Sequence, residues 1–327
     1  MRAGWYEKYG PAREVIRVGE IEAPQAGPGE VRVRLHASGV NPSDVKARMG
    51  SRGPMRWPRV VPHSDGAGVI DQAGPRVEEA RLGERVWVFN GQWERPLGTA
   101  AEYIVLPASQ AVPLPEAMGF EEGACLGIPA MTAHRALFAD GPIRDQWVLV
   151  TGGAGAVGFC AVQLAKWGGA SVIATASGEE KLARARAGGA DHAVNYREED
   201  AAARVMEITR GEGVDRVVEV DFGENFPVTQ KVLKKNGTVA GYASSRAPEP
   251  VLPWYPLMQR NFHLRMVHVY SMPEEAKRQA CRDIVRAIEQ GALSLPVAAR
   301  YPLEDLAGAH EAQESGGVVG NVVVEIG

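Results

Sequence analysis

Cysteine is scarce in this chain of 327 residues, which contains only Cys125, Cys160 and Cys281. The three lie far apart and form no CxxC pair, which argues against a disulfide framework and against a structural zinc site. Long apolar runs are also missing. None approaches the ~18 residues that a membrane-spanning helix needs, and the N-terminal segment lacks the apolar core of a signal peptide. These absences predict a soluble, cytoplasmic protein.

An excess of positive charge is missing as well. The formal net charge of −4 gives no support to a surface that binds nucleic acid or anionic membranes. The chain does have 45% hydrophobic and 23% charged residues, an ordinary globular composition. Its length is large for a single core, so we expect two domains.

The stretch from Trp147 to Gly169 carries the strongest local pattern. A short apolar run of strand type turns through glycines that fit GxGxxG as Gly153, Gly155 and Gly158, and apolar residues then follow at helical spacing. Glycine there allows a tight exit from the strand, the approach of a pyrophosphate to bare backbone, and close contact between helix and strand. The N–H groups that begin the helix favour an anion. An ordinary turn fits the glycines too, but their position between a strand and a helix predicts a dinucleotide site.

The patterning of the chain changes near residue 126. Before it, short strand-like runs broken by Gly and Pro predict a compact β domain with few helices. After it, strands alternate with helices, which builds a parallel sheet covered on both faces. The predicted strands are 31–35, 68–70, 85–89 and 103–106, then 148–151, 171–175, 192–195, 216–220 and 238–241, and the predicted helices are 155–168, 179–188, 199–210 and 226–235.

The C-terminal part continues these patterns. Residues 261–270 alternate with a period of two, with Phe262, Leu264, Met266 and Tyr270 on one face. This run predicts a strand at a sheet edge that can pair with another subunit. Residues 274–290 predict an amphipathic helix, and residues 318–326 predict a terminal strand.

Several motifs resemble one known family. The segment LGIPAMTAHRAL at 126–137, the following VTGGAGAVG, SGVNPSD at 38–44 and DGAG at 65–68 are similar to the zinc-independent medium-chain dehydrogenase/reductases. Within that family the similarity is greatest to the quinone oxidoreductases, which include zeta-crystallin, and it extends over nearly the whole chain. The resemblance implies an α/β fold that combines a GroES-like β domain with a doubly wound Rossmann domain.

The same resemblance implies domain boundaries and an assembly. The GroES-like catalytic domain would comprise residues 1–125, completed by 268–327, and the Rossmann NADPH-binding domain would comprise residues 126–267. A homodimer would pair the Rossmann sheets through the edge strand near 262–270. The expected partner is a small molecule, a quinone or an activated alkene, and neither nucleic acid nor a membrane is expected as the main partner.

The metal positions of the zinc-dependent branch are occupied here by other residues. Local motifs place Asn41, Ser64 and Ile128 at the three ligand positions, and none is a ligand of that type, so we expect no metal. His63 is one residue out of register, and such an offset in a strand reverses the direction of the side chain. We assign His63 to the wall of the substrate pocket, with an internal, hydrogen-bonded histidine as the alternative.

The end of the second Rossmann strand favours NADPH. An NAD-specific site usually carries an acid about 20 residues past the glycines, bound to the ribose 2′-OH, whereas residues 174–177 read ATAS here. The resemblance implies that Ser177 and Lys181 bind a 2′-phosphate instead. A structural alternative is a capping box, with Ser177 at the N-cap and Glu180 at N3, and with Lys181 and Arg184 on a solvated helix face.

Further cofactor contacts follow from the resemblance. Tyr196 matches a position at the phosphate end, and Asn321 matches a polar contact to the cofactor, although a strand-end aromatic and a strand-edge residue explain them equally well. The expected cofactor-binding set is Asn41, Thr132, Gly153, Gly155, Ala156, Val157, Gly158, Ser177, Lys181, Tyr196 and Asn321.

In a metal-free site the cofactor supplies the hydride, and the protein supplies position and electrostatics. Asn41 is the candidate donor to a substrate carbonyl, unless its amide only holds an Asn-Pro turn. Asp44 is the second catalytic candidate and would orient polar neighbours. Lys46, where many quinone reductases have Tyr, is a candidate substrate contact or an exposed side chain. We therefore expect an NADPH-dependent quinone oxidoreductase, with an enone or enal reductase as the alternative.

A non-catalytic role is the alternative from a different class, since some relatives serve as lens crystallins or bind RNA. The intact glycines and Asn41 favour an enzyme, and the net negative charge argues against RNA as the main partner.

Overall fold

The computed structural model describes residues 1–327, and the chain forms two compact units. The first comprises Met1–Ile128 and Ser294–Gly327, and the second comprises Pro129–Leu293. Residues 268–293, which the resemblance assigns to the first domain, fall in the second unit. His134 Nε2 lies 2.9 Å from Asp283 Oδ2, and Trp167 Nε1 donates to Gln290 at 2.7 Å, so these contacts hold the segment there.

The strands are β1 Arg2–Trp5, β2 Arg17–Glu20, β3 Glu30–Val40, β4 Asp65–Ala73, β5 Arg85–Val88, β6 Tyr103–Pro107, β7 Ala111–Pro113, β8 Trp147–Val150, β9 Ser171–Ala176, β10 His192–Asn195, β11 Val214–Glu219, β12 Leu233–Gly241, β13 His263–Met266, β14 Val297–Pro302 and β15 Asn321–Glu325. The α-helices are α1 Ala12–Val15, α2 Pro42–Arg48, α3 Phe120–Gly123, α4 Gly127–Phe138, α5 Ala156–Trp167, α6 Glu179–Ala187, α7 Ala201–Ile208, α8 Phe222–Val232, α9 Trp254–Met258, α10 Glu274–Glu289 and α11 Leu306–Ser315.

The first unit is built on a seven-stranded sheet in the order β14-β15-β3-β4-β5-β7, with β6 also paired to β3. Val31, Val33 and Leu35 alternate along β3 and are buried in its core. Strand β3 runs to Val40, beyond the predicted end at residue 35, because its second half pairs with β4 and β15. This pairing brings the end of β3, and the start of α2, next to the start of β15.

The second unit contains a six-stranded parallel sheet in the order β10-β9-β8-β11-β12-β13. The chain passes outward from β8 in one direction and from β11 in the other, so the strand order reverses between them. In sheets of this kind ligands bind outside the carboxyl ends of the strands at the reversal. The predicted α/β architecture, a β domain followed by a doubly wound parallel sheet, is confirmed.

The strand predicted over residues 261–270 is much shorter than expected. Only His263–Met266 pairs, with Thr238–Gly241 of β12, and Val269–Ser271 forms a 3-10 turn. Met266 is 83% exposed, whereas Tyr270 is buried. The period-two pattern was therefore wrong beyond residue 266, because β12 ends at Gly241 and offers no further partner.

None of the helices combines the length and the apolar character that a membrane crossing requires.

Candidate functional site

The glycine turn of the second unit connects β8 to α5 at the point where the strand order reverses. Gly153 N–H donates to Thr175 O of the neighbouring strand at 2.9 Å. A Cβ at Gly158 would lie 2.2 Å from Gly152 O, so this position requires glycine for packing within the protein. A Cβ at Gly155 would meet only Gly152 O at 3.5 Å, an ordinary contact. Gly155 therefore leaves open space at the first turn of α5.

The start of α5 is suited to an anion. Gly155 is its N-cap residue and has no side chain to satisfy the first N–H groups. Those groups, on Ala156, Val157 and Gly158, have no acceptor within a helix and carry the positive end of its dipole. A pyrophosphate fits both the bare backbone and the unpaired donors.

Three predicted phosphate ligands of the second unit follow neighbouring strands. Ser177 comes directly after β9, Tyr196 directly after β10, and Lys181 lies in the first turn of α6. The Ser177 hydroxyl makes no hydrogen bond within the chain, and Tyr196 is 45% exposed. The expected capping box is wrong: Gly178, with φ +81°, is the N-cap of α6, and no side chain caps it. Ser177 is thus not engaged in capping.

Arg184 does not lie on the solvated helix face that the structural alternative assigned to it. Its Nε donates to Ala154 O of the glycine turn at 3.1 Å, and its guanidinium carbon lies 4.4 Å from the centroid of the Phe159 ring. Its Nη2 is buried without a hydrogen-bond partner. Burial lowers the pKa of this guanidinium. No local pattern indicates this contact, because it joins a helix to a turn 30 residues earlier.

Two further residues of the second unit are buried polar groups. Thr132, in α4, is 4% exposed. Glu219, at the end of β11, is fully buried and accepts hydrogen bonds from Thr151 Oγ1 at 2.9 Å and from Asn225 Nδ2 at 2.7 Å. Burial raises the pKa of Glu219. Sequence reasoning missed this carboxyl group, which ties the end of β8 to α8.

Asn41 lies in the first unit, as the N-cap of α2. Its Nδ2 donates to Asp65 Oδ2 at 2.7 Å, and its backbone N–H donates to Asp44 Oδ2 at 2.8 Å. Asp44 therefore orients Asn41, the arrangement expected for it. Burial raises the pKa of Asp44 to about 6, against the opposing effect of its hydrogen bonds to Asn41. One Nδ2 donor of Asn41 is thus fixed on Asp65.

Asp65 is the residue of this group that sequence reasoning missed, although DGAG was among the family motifs. Its Oδ2 also accepts from the Ile128 N–H at 2.8 Å, and its Oδ1 is buried without a partner. A Cβ at Gly127 would lie 2.2 Å from Oδ1, so only glycine fits there. Burial holds the pKa of Asp65 well above its ordinary value.

The structure brings Asn321 close to Asn41. Strand β15 pairs with β3 in the register Val322 with Val40, so the next pair in this antiparallel register is Asn321 with Asn41. Asn321 is 5% exposed, and its Nδ2 donates to Pro296 O at 3.3 Å. Lys46 is exposed on α2. Asn41, Asp44, Lys46, His63 and Asn321 thus belong to the first unit, and the other predicted residues belong to the second.

His63 does not fit the substrate-contact role expected for it. The side chain is fully buried; Nδ1 lies 2.8 Å from Ser38 Oγ, and Nε2 lies 3.0 Å from His310 Nε2. Both ring nitrogens therefore have partners inside the unit. The expectation is corrected to its alternative, an internal hydrogen-bonded histidine.

The hydrogen bonds of His63 belong to a row that ends at the backbone carbonyl oxygen of Asp65. Because that oxygen can only accept, it sets the direction of every other hydrogen bond in the row. Thr99 Oγ1 must donate to the carbonyl oxygen of Asp65, at 2.6 Å, so it accepts from Ser38 Oγ at 2.7 Å. Ser38 then accepts from His63 Nδ1–H, and His63 Nε2 accepts from His310 Nε2–H. This leaves His310 Nδ1 as a bare acceptor, and it has no partner. Both histidines are neutral.

Acid is expected to destabilise the protein through this histidine pair. Burial lowers the pKa of His63 from 6.5 to about 3, and burial, His63 and Arg48 lower that of His310 well below 6.5. The unfolded chain therefore binds these protons first, and the free energy of unfolding falls as the pH drops from 6.5 toward 3. Asp44 and Asp65, whose pKa values are raised, act in the opposite direction.

The variant His310→Gln isolates one histidine, since Gln retains an N–H that can donate to His63. Between pH 6.0 and 4.5 the wild-type protein should lose about 2 kcal/mol more unfolding free energy than the variant. Urea unfolding of both proteins at several pH values measures the difference. Parallel pH dependences would show that His310 is not held neutral by the fold.

The three positions that hold zinc in the related branch are occupied as the sequence indicates. Asn41 and Ser64 offer an amide and a hydroxyl, and Ile128 offers no ligand atom. No group of three His, Cys, Asp or Glu side chains lies in an arrangement that could hold a metal ion.

Comparison with known families gives matches in both units. The model described as alcohol dehydrogenase GroES-like domain matches residues 27–116, and the model described as zinc-binding dehydrogenase matches residues 156–287. Quinone oxidoreductase of Mus musculus is 31% identical over 94% of this chain and 91% of its own length. The 2-haloacrylate reductase of a Burkholderia species is 30% identical over 99% of this chain and 98% of its own length.

Solved structures give the same result. A structure titled as an NAD-dependent alcohol dehydrogenase superposes with a TM-score of 0.88 at 32% identity, covering 100% of both chains. The quinone oxidoreductase of Escherichia coli, solved with NADPH, superposes with a TM-score of 0.87 at 27% identity, covering 99% of this chain and 100% of that one. On this evidence the chain is an oxidoreductase that belongs to the quinone oxidoreductase group of the medium-chain dehydrogenase/reductase family.

Proposed function

We propose that this protein is an NADPH-dependent reductase that transfers hydride to a quinone without the help of a metal ion. The observation that carries the proposal is the composition of the two sites. The second unit has a glycine turn with open space at Gly155 and no acid at the end of β9. The first unit has an oriented amide, Asn41, at a position where zinc-dependent relatives have a metal ligand.

The glycine turn fits a dinucleotide on two grounds. Gly155 leaves room that no protein atom fills, and the N–H groups of Ala156, Val157 and Gly158 suit a diphosphate. Thr132 and Asn321 would contact the nicotinamide end, as the family resemblance implies. When bound, the reduced nicotinamide supplies a hydride, and the protein supplies orientation and electrostatics.

The choice of NADPH is supported by the groups that follow β9 and β10. The Ser177 hydroxyl, the Lys181 ammonium and the exposed Tyr196 would hold a 2′-phosphate. No carboxylate stands where an NAD-specific site would bind the 2′-OH. The Escherichia coli relative was solved with NADPH, whereas another relative is titled NAD-dependent, so the phosphate ligands of this chain carry the assignment.

Asn41 would act on the substrate carbonyl. Its amide nitrogen carries two donors, and one is directed at Asp65. The second would hydrogen-bond the substrate oxygen, where negative charge develops as a carbon or oxygen of the quinone accepts the hydride. A proton from solvent then completes the hydroquinone. This assignment requires no metal, in agreement with the ligand-poor set Asn41, Ser64 and Ile128.

An activated alkene is the second candidate substrate. One relative, which aligns with almost the entire chain, is named 2-haloacrylate reductase. In addition, this chain has Lys46 where many quinone reductases have a Tyr. Hydride addition to an alkene conjugated to a carbonyl leaves an enolate, which the same Asn41 donor and a nearby cation would stabilise.

The proposed activity is tested by stopped-flow oxidation of NADPH and NADH with 1,4-benzoquinone and with a panel of enones. We expect turnover of the quinone, a preference for NADPH, and loss of most of that preference in Lys181→Ala. The zinc content should be well below one ion per chain, and a chelator should leave turnover unchanged. Absence of turnover with every quinone would refute the quinone assignment, and turnover of enones alone would establish the alternative.

A homodimer is proposed for the second unit, through a surface that we name the edge patch. Strand β13 pairs only with β12 and so leaves one edge of the sheet unpaired, the kind of edge that another chain can extend. Large apolar side chains are exposed in β13 and in the segment that precedes it in the sequence. We define the edge patch as Val251, Leu252, Trp254, Tyr255, Met258 and Met266. Such a patch marks an interaction surface.

Light scattering at micromolar concentration should therefore give twice the chain mass of 35.1 kDa. The double variant Trp254→Asp with Met266→Lys should give the mass of one chain. Leu82→Lys changes a hydrophobic residue of the first unit that is 49% exposed, and it should remain dimeric. A monomeric wild-type protein would refute this assembly.

A further inference from the structure

The peptide group that joins Ala154 to Gly155 is bound at both ends. Its carbonyl oxygen accepts a hydrogen bond from Arg184 Nε at 3.1 Å, and its N–H donates to Gly152 O at 3.0 Å. Rotation of this peptide group would break both hydrogen bonds, which is unfavourable. Since α5 begins at the next residue, Ala156, Arg184 helps to fix the direction of the first N–H groups of that helix.

Strand β9 also holds the glycine turn, but through a neutral residue. Gly153 N–H donates to Thr175 O at 2.9 Å, and Gly152 N–H donates to Thr175 Oγ1 at 3.4 Å. Of these three contacts with neighbouring elements, only the one from Arg184 brings a charge to the turn. The turn on which a dinucleotide would rest is thus hydrogen-bonded to a cation of α6.

The charge of Arg184 is not paired with a carboxylate of the chain. By contrast Arg186, on the same helix, pairs with Glu179 at 2.7 Å. The guanidinium carbon of Arg184 lies 4.4 Å from the centroid of the Phe159 ring, and its Nη2 is buried without a hydrogen-bond partner. The aromatic face offsets part of the cost of removing a charge from water, but a buried charge is normally paired with an opposite one. A negative group bound at the turn would complete this arrangement.

We propose that Arg184 is a positioning residue for the diphosphate of the cofactor. It holds the Ala154 carbonyl, which directs the N–H groups of α5 toward the ligand, and its charge attracts the phosphate oxygens. This inference rests on the proposed function, since it concerns the same dinucleotide site. NADPH and NADH share the diphosphate, so Arg184 strengthens the binding of both, whereas Lys181 acts on the 2′-phosphate of NADPH alone.

The dissociation constants of NADPH and NADH, measured by isothermal titration at low salt, test this role. Arg184→Met retains an unbranched stem that can pack on Phe159, but it removes the charge and the donor. It should weaken the binding of both dinucleotides by about tenfold, the loss expected for one charge-assisted contact, and leave the ratio of the two constants within about twofold of wild type. Arg184→Lys restores a cationic donor and should bind both dinucleotides about threefold more tightly than Arg184→Met.

The control Arg186→Met removes the same charge from the same helix, at a side chain that is 50% exposed. It should leave both constants within about twofold of wild type, and Lys181→Ala should weaken the binding of NADPH alone. Unchanged affinities in Arg184→Met, a loss confined to NADPH, an equal loss in Arg186→Met, or no recovery in Arg184→Lys would each overturn the role of Arg184. A wild-type protein that binds neither dinucleotide would refute the proposed function instead.

Hydrogen exchange in the cofactor-free protein tests the hold on the turn separately. In Arg184→Met the peptide that covers residues 150–158 should exchange several-fold faster than in the wild type and in Arg186→Met, because the Gly155 N–H is no longer supported by a fixed carbonyl. Exchange of residues 30–40, in the first unit, should not change. Equal exchange of residues 150–158 in all three proteins would overturn the positioning role, whether or not NADPH binds.

Discussion

Gly155→Val is expected to abolish measurable NADPH binding, a loss of about 100-fold or more, while the protein stays folded. The backbone of Gly155 has φ −71° and ψ 166°, an extended conformation that valine adopts without strain. A Cβ there meets only Gly152 O at 3.5 Å. The first atom of a side chain therefore meets no obstacle in the protein, but a side chain here would occupy the space that a diphosphate needs. Loss of two or more hydrogen bonds to a charged group accounts for the expected magnitude.

The chain offers a matched control for this variant. Gly119 is also a helix N-cap, with φ −73° and ψ 163°, and a Cβ there meets no atom within 4 Å. Gly119→Val should thus make the same backbone change and leave NADPH affinity within about twofold of wild type. Isothermal titration with NADPH and thermal unfolding are measured for all three proteins. Wild-type affinity in a folded Gly155→Val would mean that the dinucleotide binds elsewhere.

Gly158→Ala is a poorer test of the same turn. The Cβ of the new alanine would lie 2.2 Å from a backbone oxygen and would disturb the turn itself. A loss of NADPH binding in this variant would therefore reflect misfolding of the turn and not the loss of a ligand contact. The two glycines of one motif therefore serve different purposes: Gly158 allows the helix to approach the turn, and Gly155 leaves a place for the ligand.

Asn41→Ala is expected to lower kcat for quinone reduction by about 100-fold, the magnitude typical of removing one donor to a developing oxyanion. Thermal unfolding should change little by comparison, and any loss of NADPH affinity, which a contact of Asn41 with the cofactor would cause, should be smaller than the loss of kcat. The variant leaves Asp65 Oδ2 with its second donor, the Ile128 N–H, so the buried carboxyl keeps a partner. Steady-state kinetics at saturating NADPH, combined with NADPH titration, separate the effect on turnover from the effect on binding.

Asn321→Ala provides the comparison for this second variant. Asn321 occupies the register position opposite Asn41 on β15 and is equally buried. If Asn321 contacts the cofactor, the Asn321→Ala variant should raise KM for NADPH more than it lowers kcat. If both variants lowered kcat alike while Asn41→Ala also lost thermal stability, Asn41 would be a turn-holding residue and not a donor to the substrate.

Local sequence pattern predicted the elements that depend on neighbouring residues. Strand β10 begins and ends where expected, and β8, β9, α5 and α6 differ from expectation by one residue at each end or less. Period-two and helical spacing, together with glycines that permit a tight turn, act over a few residues and are therefore visible in sequence. The turn at 152–158 and the absence of an acid after β9 belong to this class.

Local pattern failed where a partner distant in sequence decides the structure. The run 261–270 alternates throughout, but only the part opposite the end of β12 forms a strand. The residues near Ser177 fit a capping box, but the chain turns through Gly178 at positive φ and begins the helix there. In the first case the length of the neighbouring strand decided where β13 ends. In the second case the backbone conformation of Gly178 decided where α6 begins.

The amino-acid sequence by itself determined the fold class, the glycine turn, the family, and the types of residue present at the candidate site. Only the tertiary structure decided which of those residues meet. Asn41 finds Asp65 across 24 positions, and His63 finds His310 across 247. The reason is physical: a buried polar atom needs a partner wherever the fold supplies one, and pairings over such distances are set by strand order and register, which no local spacing encodes.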